Sequence, residues 1–191
     1  VVLLDDTRYD TFDDEETKKK YKEGLEHLCD RFKVDLYRRP WRHAKAGIIN
    51  DFLHYLQHEA IPKQEYLELS HKEKKDKRAT PDYICIFDAD QNPFPDVLNP
   101  LISIMEDDTA LAFVQTPQHY TNDEENRVAH AAGMQQVVFY EFICEGKSLK
   151  NAMFCCGSNV LMRTKALLDV KGFEEASVTE DFATSLKLHQ K

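Results

Sequence analysis

Short apolar runs that end in acidic residues alternate along this chain with longer segments of helical periodicity. The run of residues 1–4 ends at Asp5 and Asp6, and the run of residues 83–87 ends at Asp88. Runs of this length suit buried strands, whereas the intervening segments repeat their apolar residues at helical spacing. The alternation predicts parallel βαβ units, which means an α/β fold with a mostly parallel sheet and helices on both faces.

The element boundaries follow from the same patterns. Residues 59–81 are polar and basic without a sustained apolar period, and they predict a solvated loop. In the long predicted helix, the apolar side chains of Val128, Met134, Val138 and Phe142 are expected to pack. The strands are predicted at residues 1–4, 34–37, 83–87, 110–114 and 154–162, and the helices at 15–32, 43–58, 95–105, 126–145, 164–170 and from 179 onward.

Composition narrows the class of protein. The 191 residues suffice for one domain, and 34 acidic against 25 basic residues give a net charge of −9. This charge disfavours binding to a nucleic-acid backbone.

The 5 cysteines are odd in number and lack CxxC spacing, so they predict neither a disulfide framework nor a zinc knuckle. This cysteine pattern fits a protein in a reducing compartment. The first and last residues look like positions inside elements, so we interpret the chain as a fragment of a single domain, residues 1–191.

Asp88 and Asp90 form a DxD pattern at the end of a predicted strand, where parallel sheets bind ligands. Two carboxylates two positions apart suit Mg²⁺ or Mn²⁺, which prefer oxygen ligands and often share them with substrate phosphates. The alternative is a simple turn, because Gln91, Asn92 and Pro93 follow and favour one.

Two further candidates lie at predicted helix starts. Glu180 and Asp181 follow Thr179, and one of these carboxylates is a candidate general base, although acids in a first helical turn also serve the helix dipole. Lys45 lies where an ammonium group and free backbone N–H groups could meet a phosphate, although a solvated lysine is the alternative. For Cys156, which precedes a glycine and a serine, packing against a strand is the alternative.

Taken in order, these segments resemble one family. The successive motifs are similar to those of family 2 glycosyltransferases, in particular the cellulose synthase-like processive branch. The resemblance runs from Val1 almost to His189, interrupted at residues 59–81, and its motifs are VVLLDD, HAKAGIIN, FDAD, FVQTPQ, FCCGSNVLMR and GFEEASVTEDFATSLKLH.

This resemblance implies a GT-A type fold and inverting transfer of a sugar from a nucleotide-diphosphate donor, usually UDP-linked, to a growing glycan acceptor. It implies that Asp5 and Asp6 serve nucleotide binding, with Asp6 nearer the base, and that Lys45 contacts the diphosphate. Asp88 and Asp90 would hold Mg²⁺ or Mn²⁺ and the phosphates. Asp181 would be the general base, and Glu180 beside it would contact the substrate. Cys156 would line the acceptor site near the terminal sugar.

The chain also departs from the family pattern. Cys155 stands where the family usually has a second phenylalanine, which leaves the acceptor preference open. An earlier strand, the downstream QxxRW motif and the flanking transmembrane helices of this branch are not in the sequence. We therefore expect the full protein to be a membrane protein, held through those missing flanking segments, with this domain on the cytoplasmic side.

Two other functions remain open at this point. One is a nucleotide-sugar binding module without turnover, because part of the family pattern is missing. The other is a phosphatase-like hydrolase with an FDAD nucleophile, although that chemistry usually has a small hydroxyl residue soon after the second acid, where this chain has Gln91, Asn92 and Pro93.

Overall fold

The computed structural model describes residues 1–42, 44–60, 65, 68–69 and 79–191, without the side chain of residue 44. The chain divides into two compact units, Val1–Thr80 and Pro81–Lys191, and each is described by itself. That both belong to one catalytic domain stays a prediction. Most of the predicted 59–81 loop lies outside the described residues.

The first unit is a parallel strand pair with two helices. The elements are β1 (Val2–Asp5), α1 (Glu15–Phe32), β2 (Asp35–Arg38) and α2 (Ala44–His58). Strands β1 and β2 pair with Leu3 opposite Leu36. Helix α1 begins where the Asp14 carboxylate accepts the N–H of Thr17 at 2.6 Å, and it is capped at its end by Lys33 in the left-handed conformation, φ 55°.

Helix α2 supplies most of the buried apolar surface of this unit. Ile48, Ile49 and Leu53 are each at most 5% exposed. Their spacing of one and four positions is that of a helix face turned inward. Beside them, the Tyr37 ring meets that of Phe52 edge to face at a centroid distance of 5.2 Å, which joins β2 to α2.

The second unit is built around a three-stranded sheet that helices flank, and one of these helices continues through a π-helical segment. The elements are β3 (Tyr83–Ile86), α3 (Leu98–Asp107), β4 (Phe113–Gln115), α4 (Arg127–Val137), the π-helical segment Val138–Cys144, α5 (Glu145–Ser148), β5 (Val160–Arg163), α6 (Thr164–Asp169) and α7 (Glu180–His189). The order of the strands in the sheet is β3-β5-β4.

The strand directions partly follow the expected parallel arrangement. The pair β1 and β2 is parallel, and β3 and β4 share one direction, but β5 lies between them and is antiparallel to both. The apolar pattern predicts that a strand is buried but not which way it runs. Val160, Leu161 and Met162 are at most 2% exposed, so both faces of the central strand β5 are covered.

The predicted strand at 154–162 is wrong in its extent, whereas the predicted helix at 126–145 is present. The strand is shorter, because Gly157 (φ 79°) and Asn159 (φ 54°) turn the backbone before β5 begins at Val160. The helix exists as a continuous helical stretch over residues 127–148.

The packing face expected of this helix is wrong, however. Val128, Met134, Val138 and Phe142 are between 55% and 79% exposed, whereas Tyr140 and Cys144 are buried. The wider π-helical turns change the angular spacing of successive side chains, and an α-helical period does not foresee that change. Across the described parts of the chain, no helix is both long and apolar enough to cross a membrane.

Candidate functional site

The first candidate acid, Asp5, ends strand β1 and is 4% exposed. Its carboxylate accepts hydrogen bonds from the Thr7 N–H at 3.1 Å, the Thr7 hydroxyl at 2.7 Å, the Tyr9 hydroxyl at 2.6 Å and Arg38 Nε at 2.7 Å. Burial raises the pKa of Asp5, but these donors outweigh it and leave the pKa below 3.8. Four donors match the acceptor capacity of a carboxylate, so a nucleotide would have to displace one of them.

The second acid, Asp6, is half-buried rather than enclosed, and its Oδ2 lies 3.8 Å from Arg39 Nη2. Arg39 is itself held in place, because its guanidinium donates to the carbonyl oxygens of Pro40 at 2.8 Å and Arg42 at 2.7 Å and lies 2.9 Å from Asp51 Oδ2. Asp6 therefore differs from its neighbour in having an accessible carboxylate beside a fixed cation.

Lys45 lies in the first turn of α2 and is half-buried. The helix start is tightly packed, because a Cβ on Gly47 would overlap the Arg42 carbonyl oxygen and would lie 2.8 Å from Arg39 Nη2. The glycine of the HAKAG motif thus lets the helix approach the Arg39 segment closely. The first residue of the HAKAG motif, His43, lies outside the described residues.

In the second unit, Asp88 and Asp90 follow β3 with exposed side chains. The backbone N–H of Asp88 donates to the Ser158 hydroxyl at 2.8 Å, and the Asp88 carbonyl accepts the N–H of Gln91 at 3.0 Å. The segment is therefore the turn that its composition predicted, and it is also fixed to a residue seventy positions later. Both interpretations of the DxD pattern are compatible with this geometry.

The partner of that contact is a turn that we call the CGSN turn, residues 156–159. Its glycine has φ 79°, and the Gly157 N–H lies 3.4 Å from Cys155 Sγ. Cys155 is 1% exposed, and its backbone N–H donates to the Ser185 hydroxyl of α7 at 2.7 Å. The buried cysteine and the α7 serine thus fix the entry to the turn.

Asp181 lies in the first turn of α7, directly against this turn. A Cβ placed on Gly157 would lie 3.0 Å from Asp181 Oδ2. The other oxygen of the carboxylate accepts the Phe182 N–H at 2.7 Å, and the Ser185 hydroxyl donates to the Asp181 carbonyl at 2.8 Å. Glu180, half-buried beside it, accepts the Thr184 hydroxyl through its backbone carbonyl.

Cys156 is the half-buried first residue of the CGSN turn, and its thiol contacts Tyr140 and Cys144 of the π-helical segment. Burial, followed by the nearby Cys144, Cys155 and Asp181 groups, raises the pKa of Cys156 to about 12. The thiol is therefore protonated at neutral pH, and it packs as a small, polarisable hydrophobic side chain.

The structure thus brings three of the predicted residues to one place. Asp88, Cys156 and Asp181 all meet at the CGSN turn, whereas Asp5, Asp6 and Lys45 belong to the other unit. Ser185 and the strand residue Gln115 also belong to this site and were not predicted, although each lies inside a motif that carries the resemblance. Ser158 lies in the motif expected to line the acceptor site, but its bond to the Asp88 backbone was not predicted.

The donor set of Asp88 and Asp90 fits a hard divalent cation in part. Both side chains are exposed oxygen donors on one short segment. Within the described residues, no group of three or more His, Cys, Asp or Glu side chains could hold a metal ion. Two carboxylates therefore need further oxygen ligands, and phosphate oxygens are the usual ones for Mg²⁺.

Comparison with known proteins shows which family the sequence around this site belongs to. The sequence model of Glycosyl transferase family group 2 matches residues 83–191, which is more than half of the chain and the whole of the CGSN turn site. This family has the GT-A type α/β fold, in agreement with the fold class expected from the resemblance.

Curated relatives agree. The chain is 33% identical over 151 residues to a UDP-forming cellulose synthase catalytic subunit of Dictyostelium discoideum, covering 78% of this chain and 12% of that protein. It is 30% identical over 195 residues to the cellulose synthase catalytic subunit (UDP-forming) of Pseudomonas fluorescens, covering 100% and 22%. It is 34% identical over 153 residues to the cellulose synthase catalytic subunit (UDP-forming) of Xanthomonas axonopodis pv. citri, covering 78% of this chain and 18% of that protein.

The chain thus spans about an eighth to a fifth of the length of these relatives. Both the family match and the relatives agree with the motifs found in the sequence. The chain belongs to family group 2 of the glycosyl transferases.

Proposed function

We propose that the protein carrying this chain is an inverting glycosyltransferase that moves a sugar from a nucleotide-diphosphate donor, a UDP-sugar, to a growing polysaccharide. The observation that carries the proposal is the CGSN turn, which bonds the Asp88 backbone through Ser158 and has the Asp181 carboxylate packed directly against Gly157. Family membership and the names of the relatives, which are UDP-forming cellulose synthases, support the same reaction class.

In this proposal Asp181 is the general base. Inverting transfer needs a carboxylate that takes the proton of the acceptor hydroxyl as its oxygen attacks the anomeric carbon. Asp181 has one oxygen directed at Gly157, where no side chain intervenes, and the other oxygen is fixed by the Phe182 N–H. Glu180 and Cys156 flank this carboxylate and would contact the acceptor sugar.

On the donor side, Asp88 and Asp90 would hold Mg²⁺ or Mn²⁺ together with the phosphates. When bound, the cation supplies positive charge that compensates the departing diphosphate. For Lys45, in the first turn of α2, the resemblance to the family is what supports a contact with the diphosphate.

The two acids at the end of β1, Asp5 and Asp6, would have different roles in nucleotide binding. Asp6 is accessible and would contact the nucleotide near its base, whereas Asp5 is enclosed by Thr7, Tyr9 and Arg38 and would hold that segment in place. Membrane attachment of the full protein and the cytoplasmic position of this domain stay predictions.

The experiment is a donor screen on the full protein that carries this chain. UDP-glucose, UDP-N-acetylglucosamine and GDP-mannose are tested with Mn²⁺ for thermal stabilisation of the protein, for release of the nucleoside diphosphate and for incorporation of sugar into polymer. We expect one UDP-sugar to stabilise the protein and to be consumed with polymer formation. Binding without transfer would favour the binding module, and release of phosphate from a generic phosphomonoester would favour the hydrolase.

A further inference from the structure

Gln115, the last residue of β4, bridges the edge of the sheet to the CGSN turn through both ends of its side-chain amide. Its Nε2 donates to the carbonyl oxygen of Ser158 at 2.8 Å and to that of Asn159 at 3.2 Å. The same nitrogen lies 3.0 Å from the Thr116 carbonyl, and Oε1 accepts the N–H of Cys156 at 2.8 Å. One side chain thus binds three of the four residues of the turn through their backbone.

Such a bridge requires a glutamine. The turn presents an N–H at Cys156 and carbonyl oxygens at Ser158 and Asn159, so its partner must both accept and donate. A primary amide does both, whereas a carboxylate of the same length lacks the donors and an aliphatic side chain lacks both functions. The half-buried position of Gln115 also means that water replaces these bonds poorly.

The turn needs such support because of its backbone. Gly157 has φ 79° and Asn159 has φ 54°, and the second of these is a conformation that residues with a Cβ adopt at a cost. Two further bonds, from Thr116 N–H and the Thr116 hydroxyl to the Asn159 carbonyl at 3.0 and 2.9 Å, reach the exit of the turn. Strand β4 and the residue after it therefore hold the whole length of the turn.

The consequence reaches the two candidate acids. Gly157, which lies between two residues that Gln115 binds, faces the Asp181 carboxylate. Ser158, whose carbonyl Gln115 binds, accepts the Asp88 N–H through its hydroxyl. A shift of the turn would change the position of Asp181 relative to Asp88. Misplacement of about 1 Å at a reacting centre costs about 100-fold in rate.

We propose that Gln115 is a positioning residue of the sugar-transfer reaction, which fixes the CGSN turn so that the Asp181 carboxylate and the Asp88 segment keep their relative position. The inference rests on the proposed function. The hydrogen bonds of the Gln115 side chain go to backbone groups of the turn and of Thr116, so its replacement should act through the position of the turn and slow the chemical step more than it weakens binding of the nucleotide sugar.

The test compares Gln115→Glu and Gln115→Met in the full protein, with Gln135→Glu as a matched control on the exposed surface of α4. Gln115→Glu keeps the length and one acceptor but removes the donors, and Gln115→Met removes both functions. We expect kcat to fall by about 10- to 100-fold in both Gln115 variants, with the KM for the donor within about twofold of wild type. The control should keep both constants.

Hydrogen–deuterium exchange gives a second measurement that needs no turnover. Backbone exchange in a peptide covering residues 154–159 should become at least about tenfold faster in both Gln115 variants, because the Cys156 N–H loses its acceptor or the turn loses its donors. If Gln115→Met proves too unstable to assay, the Gln115→Glu variant decides.

The outcomes distinguish the positioning role of Gln115 from the proposed sugar-transfer function. An active wild-type protein whose Gln115 variants keep their kcat overturns the positioning role alone. Unchanged exchange in the turn overturns it as well, because the bridge would then not hold the turn. A rise in KM at constant kcat would assign Gln115 to donor binding instead. A wild-type protein that transfers no sugar overturns the proposed function, and the positioning role with it.

Discussion

The Cα of Gly157 lies so close to the Asp181 carboxylate that an added Cβ would be 3.0 Å from Asp181 Oδ2. The same glycine has φ 79°, a conformation that residues with a side chain rarely adopt. Two independent physical reasons therefore require glycine at this point, one in the backbone and one in the space beside the candidate base. The contact joins two motifs that are separate in the sequence, FCCGS and TED.

Replacing Gly157 tests this contact directly. Gly157→Ala should destabilise the protein by about 1 to 2 kcal/mol in urea unfolding, because alanine is strained in the left-handed conformation and its methyl group crowds Asp181. Gly146→Ala is the matched control in the same unit, since Gly146 lies in α5 with open space around it. The control should be stabilising by about 0.4 to 1 kcal/mol. Equal stability of the two variants would contradict the account.

The buried Asp5 gives a prediction for the first unit. Asp5→Asn should lower the free energy of unfolding by about 1.5 to 3 kcal/mol, because Thr7, Tyr9 and Arg38 lose a charged acceptor, while Arg38 keeps its pair with Glu26. Asp10→Asn is the control, since the Asp10 pair with Arg8 is exposed and should be worth less than about 0.5 kcal/mol.

The same residue predicts a pH dependence. Because the pKa of Asp5 lies below 3.8 in the folded chain, its contribution to stability is fully present above pH 3.8 and is lost as the pH falls through the folded pKa. The difference in unfolding free energy between wild type and Asp5→Asn should therefore shrink on acidification below that pH. A difference that stays constant down to about pH 2 would show that the Asp5 carboxylate carries no such linkage.

The Cys156 thiol should be unreactive in the folded protein. Its pKa of about 12 against an ordinary 9.0 leaves about 1000-fold less thiolate at neutral pH, offset in part by the greater nucleophilicity of that thiolate. Iodoacetamide should therefore label Cys156 about 30- to 50-fold more slowly than the thiol introduced by Val178→Cys at a position that is 98% exposed. Equal labelling rates, read by mass spectrometry, would contradict the burial of this group.

The general architecture could be predicted from sequence because it depends on local patterns. Run length and apolar spacing were enough to find the cores of β1 to β5 and to place Asp88 after a strand and Asp181 at a helix start. Both positions depend on residues within a few places along the chain, such as Gln91 beside Asp88 and Phe182 beside Asp181.

Contacts between distant residues were not predictable in the same way. Three features depend on residue pairs that are at least 33 positions apart in the sequence. They are the direction of β5, the burial of Asp5 under Arg38 and the bridge from Gln115 to Cys156. A polar residue at a strand end has many possible partners, and only the folded backbone selects one. The packing face of the helix at residues 127–148 was missed for a related reason, because its π-helical segment has no signature in the apolar period.

The proposed cation requirement rests on the exposed acids after β3 and can be tested by metal removal. Removal of divalent ions with EDTA should abolish sugar transfer, and Mn²⁺ should restore it. Asp90→Asn should weaken Mn²⁺ binding in the presence of UDP by at least about tenfold, measured by calorimetry, because one of two protein oxygen ligands loses its charge. Asp96→Asn, on the same exposed segment, is the control and should bind Mn²⁺ as wild type does. Transfer that persists after complete chelation would contradict the role of Asp88 and Asp90 as metal ligands.

The most direct test of the central claim is the turnover of Asp181→Asn in the full protein, with Asp169→Asn at an exposed position of α6 as control. We expect Asp181→Asn to keep its affinity for the UDP-sugar while kcat falls by about 100- to 10,000-fold, and we expect the control to retain full activity. Sugar transfer by Asp181→Asn at the wild-type rate would contradict the assignment of this carboxylate as the base, and with it the mechanism proposed for the site.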